Sequence, residues 1–261
     1  MIEVNYIYEK GISPVNEDNY YINKNTNTYA VFDGAGSLNG KNGGYNASQI
    51  ALNSFTSNPK DNLLDQFIDI NNTISLGMKN EGVDINFKEN LWSTAACAIK
   101  IDFNKNEINY AQISDCLILL LYKDKTYKII SPNYEHDQET LTLKSKLSPG
   151  DFKDQVIKVR RLSNIDYGLL NGEIDAQKFI YTGFEPIQNV TDILLFSDGL
   201  LIPNPNPSKP DDFKTLINLY YQNGLQEIRD YVRKLQVSDP QLTKYPRFKI
   251  HDDIAAISIR F

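Results

Sequence analysis

The chain has 261 residues, 41% hydrophobic and 23% charged, and its 27 basic against 33 acidic side chains leave a net charge of −6. This ordinary globular usage excludes a disordered tail, a collagen-like rod and a disulfide scaffold. Acidity without a basic block argues against nucleic acid or a membrane surface as partner.

The first predicted strand is Glu3 to Glu9, where Val4, Tyr6 and Tyr8 alternate with polar residues. After a turn-rich stretch, Asn19 to Asn23 and Thr28 to Phe32, joined by an Asn-rich turn, predict a hairpin that runs into Asp33-Gly34. A glycine-rich segment follows, and the period then changes. Ala47, Ile50, Ala51 and Phe55, then Leu64, Phe67, Ile68, Ile74 and Met78, predict helices over 44–57 and 61–80, with Asp61 as N-cap. Ser93 to Ile101, Glu107 to Ile113, Cys116 to Tyr122 and Thr126 to Ser131 predict four strands of an antiparallel meander. The polar stretch at about 132–175 is too long for a bare connection and predicts short elements or a functional flap. Strands over 178–182 and 193–196 come next, then the proline-marked loop 203–210. A helix pair over 211–235, broken near Asn223-Gly224, precedes a last strand over 254–261. Strand–helix alternation is irregular, so the class is α+β, with one domain over 1–261.

The longest apolar run, Cys116 to Tyr122, falls far short of the roughly 20 residues of a membrane span. The start, MIEVNYIYEKG, lacks a secretory pattern. Cys97 and Cys116 have no metal spacing and read as buried thiols of a reducing cytoplasm. With His136 and His251 as the only histidines, a zinc hydrolase or a Ser-His-Asp enzyme is poorly supplied.

The informative feature is where the acids fall. Asp33 and Asp198 each end an apolar strand and precede a glycine, Asp115 lies between two strands, Asp252 and Asp253 precede the last strand, and Glu17 and Asp18 precede the second. Carboxylates gathered at strand ends repel one another unless hard cations neutralise them, and magnesium or manganese suits such oxygen donors.

Asn16-Glu17-Asp18, Val31-Phe32-Asp33-Gly34-Ala35-Gly36, Ser93-Thr94-Ala95, Ile113-Ser114-Asp115-Cys116, Phe196-Ser197-Asp198-Gly199-Leu200 and His251-Asp252-Asp253-Ile254 occur in one order. This set resembles the metal-dependent protein phosphatases, the type 2C Ser/Thr family, in a compact bacterial form. The resemblance implies a four-layer α-β-β-α sandwich, two antiparallel sheets flanked by helix pairs. It also implies a site for two Mn2+ or Mg2+ ions. Asp33 would bridge both, the Gly34 carbonyl would ligate one, and Asp198 and Asp252 the other. Glu17 and Asp18 would hold metal-bound water, and Asp115 with Asp198 would take a possible third ion. Two such ions acidify a bridging water, whose hydroxide attacks phosphorus in line and expels the serine or threonine oxygen. No protein nucleophile is implied. The expected substrates are phosphorylated proteins, opposite a Ser/Thr kinase, and the chain is expected to be monomeric and cytoplasmic.

Departures from the family pattern qualify this. The position of the family's phosphate-binding arginine is Ser13, and Lys10, Arg160, Arg161 and Lys41 are the candidate replacements. Ala35 stands where eukaryotic members have a histidine acid, and the Gly-Asp-Ser triplet reads Ser114-Asp115-Cys116. The final Asp-Asn reads Asp252-Asp253, and His136 lies where members carry an Asp-His pair. His251 adjoins Asp252 and is the other histidine of interest. Two alternatives stay open: a catalytically weak binding module on the same fold, and a small-molecule phosphomonoesterase.

Overall fold

The computed structural model describes residues 2–35, 42–131, 135, 138–144, 146–147 and 149–261. Among the described residues, ten strands form two antiparallel sheets of five. The first sheet contains β1 (Glu3–Glu9), β10 (Ile254–Arg260), β9 (Val190–Phe196), β6 (Leu117–Tyr122) and β7 (Tyr127–Ile129), in that spatial order. The second contains β2 (Asn19–Asn23), β3 (Thr28–Ala35), β4 (Ser93–Asp102), β5 (Glu107–Ile113) and β8 (Tyr181–Pro186).

The sheets face each other across a core that includes Val31, Cys97, Ile99, Ile118, Leu120, Ile193, Leu195 and Ile257. Helices α1 (Gly43–Ser57) and α2 (Leu63–Asn80) cover the outer face of the second sheet. That face presents Ala30, Ala96, Ala98 and Ala111 around Phe32, and these small side chains let Ala47, Ala51, Phe55, Phe67 and Ile70 pack close. Helix α5 (Phe213–Val237) covers the first sheet, burying Leu117, Leu119, Leu121, Leu194 and Phe196 under Phe213, Leu216, Tyr220, Ile228 and Val232. Central strands buried on both faces need apolar side chains at every position. That explains the unbroken run Leu117–Leu121. The four-layer sandwich expected from the sequence is the fold observed.

Several expectations need correction. The meander breaks in the middle: β5 and β6 lie in different sheets, and the chain crosses between them through Ser114, whose φ is 67°. In β1 the fully buried side chain is Ile7, whereas Tyr6 and Tyr8 are exposed and Tyr6 stacks on Tyr20 at 4.9 Å. The α2 cap is Asn62, whose side chain accepts from Leu64 N at 2.7 Å, rather than Asp61. The strand expected at 178–182 begins later, as the edge strand β8, after a short 3₁₀ turn over Ile174–Phe179. The expected break in the last helix is present as a kink at Asn223 and Gly224.

The stretch at 132–175 contains two short helices, α3 (Gln138–Lys144) and α4 (Pro149–Arg161). Behind them, Asn164, Asn171 and Asn71 knot the return loop through side-chain and backbone hydrogen bonds. Both cysteines are buried and free. Among the described residues no helix is long and apolar enough to cross a membrane.

Candidate metal centre

The sandwich brings the sequence-separated acids to one end. Asp33 lies near the end of β3 opposite Ala95, and the Thr94 hydroxyl donates to its backbone carbonyl at 2.8 Å. Asp115 lies at the crossing from β5 to β6, Asp198 opens a 3₁₀ turn after β9, and Asp252 leads into β10. Asp33, Gly34, Asp115, Asp198 and Asp252 line one cavity of ≈ 250 Å³. A second cavity of ≈ 150 Å³ adjoins it and shares Asp115, Asp198, Phe248, Lys249 and Asp252. Helix α4 contributes Val156, Val159 and Arg160 to the lining of the larger cavity.

Backbone packing at this end tolerates no side chain at Gly34 or Gly199. A Cβ on Gly34 would stand 2.3 Å from Glu17 O and 2.6 Å from Gly44 O. A Cβ on Gly199 would stand 1.8 Å from Asp253 O. Glycine is what allows β3, the Glu17 segment and the start of α1 to meet, and the Asp198 turn to lie against β10.

Glu17 and Asp18 sit behind the cleft, 8% and 2% exposed. Asp18 Oδ2 accepts from the Ser197 hydroxyl at 2.6 Å, and that hydroxyl oxygen accepts from Ala255 N at 3.0 Å. Asp253 is buried and bidentate. Its two oxygens accept from Gly11 N at 2.6 Å and Glu17 N at 2.8 Å, fixing the acidic pair from the far end of the sequence.

Burial pushes the Asp33 carboxyl well above the usual carboxylate range, and the charges of Asp18, Asp115 and Asp252 push it further. Asp198 is raised by burial and then by Asp33, Asp252 and Asp115. Asp18 is raised by burial and by Asp252, Asp253 and Asp198, against the opposing Ser197 bond. Glu17 is also raised by burial, although the nearby Lys249 works the other way. These acids therefore share one electrostatic field in which negative charge outweighs the positive charge of Lys249.

Among the described residues, no three His, Cys, Asp or Glu side chains converge at coordination distance as they stand. Lys249 lies among them instead, its Nζ 2.6 Å from Asp252 Oδ1 and 3.8 Å from Glu17 Oε2. The sequence reading missed this lysine. Its signal is a basic residue three positions before a strand-leading acid, a spacing that means little without the fold.

The other candidates are placed as follows. Lys10 donates to Pro14 O at the surface, and Arg161 pairs with Glu89 at 2.6 Å. Neither reaches the cleft, whereas Arg160 lines it. Ser13 is half-buried on the segment beside His251. His251 Nδ1 lies 2.9 Å from Gln236 Oε1 on α5, so its imidazole is held by the helix. Lys41 and His136 lie outside the described residues.

None of the curated proteins matches this chain in sequence. Among solved structures, the catalytic domain of the serine/threonine protein phosphatase PstP in complex with two manganese ions is 18% identical. That match covers 99% of this chain and 97% of the other, with a TM-score of 0.62. The serine/threonine phosphatase Stp1 of Staphylococcus aureus is 14% identical over 100% and 95%, with a TM-score of 0.64. RsbX in complex with magnesium is 12% identical over 99% and 94%, with a TM-score of 0.57. At these identities the likeness is one of fold. The family itself is shown by sequence: the model for protein phosphatase 2C matches residues 13–236, and the chain belongs to that family.

Proposed function

We propose that the chain carries out its family's reaction at the acid cleft: metal-dependent hydrolysis of phosphoserine and phosphothreonine in protein substrates. Residues 1–261 would form one phosphatase domain, with α3 and α4 as its flap. The observation that supports this best is the convergence of Asp33, Asp115, Asp198 and Asp252, from four separate segments, on one cavity with Gly34.

The donor set fits the metals. Carboxylates and a backbone carbonyl are hard oxygen ligands suited to manganese or magnesium. The raised Asp18, Asp33 and Asp198 mark a field that a dication would satisfy. Asp33 would serve both ions, Gly34 O one of them, and Asp198 and Asp252 the other. Asp115 with Asp198 would hold a third, and Glu17 and Asp18 the surrounding water. Bound there, the ions would supply an acidified water and neutralise the phosphoryl oxygens.

The chain's own residues hold this arrangement. Ser197 orients Asp18, Asp253 fixes the backbone of Glu17, and Thr94 fixes that of Asp33. Val156, Val159, Tyr167 and Leu169 wall the cavity with apolar surface, which strengthens the electrostatics inside. Ala35 gives no proton to the leaving oxygen, which must draw it from water in the cleft. That the enzyme works as a cytoplasmic monomer against a Ser/Thr kinase belongs to the same proposal and rests on its likeness to compact bacterial members. The binding-module reading is not favoured, because the chain belongs to a phosphatase family and Asp33, Asp115, Asp198 and Asp252 line one cavity.

The test uses EDTA-stripped protein, p-nitrophenyl phosphate and a phosphothreonine peptide, titrated with manganese and with magnesium, beside Asp33→Ala. Turnover restored by metal and reduced about a thousandfold in the variant is the expected result. Metal-independent turnover, or wild-type rates in Asp33→Ala, would overturn the reading.

A further inference from the structure

Among the described residues, the cations lining the two cavities are Arg160, Arg247 and Lys249. A guanidinium has five N–H donors, and Arg247 spends all five on its own loop and the end of α5. It donates to Ile250 O, Tyr245 O, Gln236 O, Asp239 O and Asp239 Oδ2. Lys144 of the flap also donates to Arg247 O. Arg247 is therefore a fixture that holds the loop carrying Lys249. Arg160 belongs to the flap side of the cleft, on α4.

Lys249 is placed differently. It reaches the acids directly and lines both cavities. Of its three N–H donors, the one described bond goes to Asp252 at 2.6 Å, while Glu17 at 3.8 Å is too far for a hydrogen bond. Donors remain for an oxyanion. Its position also answers the absence of an arginine at Ser13. Ile12 N donates to His251 O at 3.1 Å, so the segment carrying Ser13 runs beside the one leading from Lys249 to Asp252. The positive charge stands one segment across from the position where the family carries it.

A second observation points to a ligand at the same place. Ser114 Oγ and Thr140 Oγ1 are buried, their residues 6% and 1% exposed, and neither has a hydrogen-bond partner among the described residues. Both residues line the ≈ 250 Å³ cavity with Lys249. Buried hydroxyls are almost always paired, so two unpaired ones at one cavity mark room for a ligand rich in oxygen.

We propose that Lys249 is the cation that holds the substrate's phosphoryl group, with the Thr140 and Ser114 hydroxyls as neutral donors beside it. This rests on the phosphatase reading. As a compact, strongly hydrated charge, an ammonium grips one or two oxygens without the planar fork of a guanidinium. The site then selects a tetrahedral dianion by charge and depth rather than by a bidentate fit.

The test compares wild type with Lys249→Gln and Lys249→Arg. Calorimetry measures inorganic phosphate on the manganese-loaded protein and, separately, manganese on the stripped protein. Phosphate binding is expected to weaken about tenfold in Lys249→Gln and to return to within about threefold in Lys249→Arg, with manganese affinity kept or gained. KM for a phosphothreonine peptide should rise by a similar factor, with a smaller fall in kcat. Phosphate affinity and KM both within about twofold of wild type in Lys249→Gln would overturn the proposal. So would a loss of manganese affinity that matches the loss of phosphate affinity, which would make Lys249 a support for the metals. A wild-type protein that binds phosphate through Lys249 without turning over substrate would sink the hydrolase and support this assignment. Wild-type turnover in Lys249→Gln together with unchanged phosphate affinity would sink this assignment and leave the hydrolase standing.

Discussion

Asp239 and Asp33 lie in the same part of the molecule and are held in opposite ways. Asp239 accepts from the backbone N–H groups of Thr243 at 3.0 Å and Tyr245 at 2.8 Å, and from Arg247 at 3.1 Å. Burial alone would raise its carboxyl, but those bonds outweigh it and hold the group at about 2. Asp33 faces other carboxylates and is pushed the other way. A buried acid whose oxygens each have a donor contributes to the fold. Acids that face one another weaken it, and they persist where an external cation is to be bound.

Asp33→Asn separates the two roles most strongly. Metal-dependent turnover should fall about a thousandfold, while the thermal midpoint of the stripped protein rises by about 3 °C or more as the repulsion is relieved. A lower midpoint in calorimetry would show that Asp33 supports the fold after all. Next comes Arg247→Met, which leaves the Asp239 carboxylate buried without its guanidinium and frees the loop behind Lys249. Urea unfolding should show a loss of about 3–5 kcal/mol; a loss under about 1 kcal/mol would mean the backbone donors suffice.

The two sets of acids also predict opposite slopes with pH. Asp33, Asp18 and Asp198 have raised folded values, so their stabilisation is full below the unfolded value and is lost as pH rises through the folded one. Asp239 has a depressed value, so its contribution is present above the unfolded value near 4 and lost as pH falls towards about 2. In EDTA the thermal midpoint should therefore climb as pH drops from neutral towards about 4, then fall below that. Manganese should flatten the climb, and a midpoint that falls monotonically from neutral pH would contradict the assignment. The smallest effect is expected for Thr140→Val, which removes a buried hydroxyl that has no partner among the described residues. Stability should rise by about 1 kcal/mol while phosphate binding weakens. A destabilised variant would show that the hydroxyl is already paired.

What the sequence disclosed about this site was local. An apolar run ending in Asp-Gly places Asp33 or Asp198 at a strand end whatever the partner strands are, and the change of period after Gly44 marks α1 unaided. What stayed hidden joins distant residues. Asp253 holds the backbone of Glu17 across 236 positions and that of Gly11 across 242, and no pattern within a window of neighbours encodes either bond. Lys249 has the same difficulty, since its meaning depends on which strand ends the sandwich brings beside it. The crossing at Ser114 was misread because an apolar strand looks the same whether it pairs with its predecessor or with the opposite sheet.

The grip of Asp253 on the Glu17 segment also has a kinetic meaning. β1 pairs with β10 from Glu3 against Arg260 to Glu9 against Ile254, so the first strand finds its partner only in the last. Closing a loop of this size is slow relative to local structure, and the contacts that repay it come late. A chain emerging from the ribosome can build α1, α2 and the β2–β5 strands early. Asp252, Asp253 and β10 arrive last, and until they do Glu17 and Asp18 have no fixed place. The acid cleft is thus completed only once β10 has docked on β1, after the other strands of the sandwich have been made.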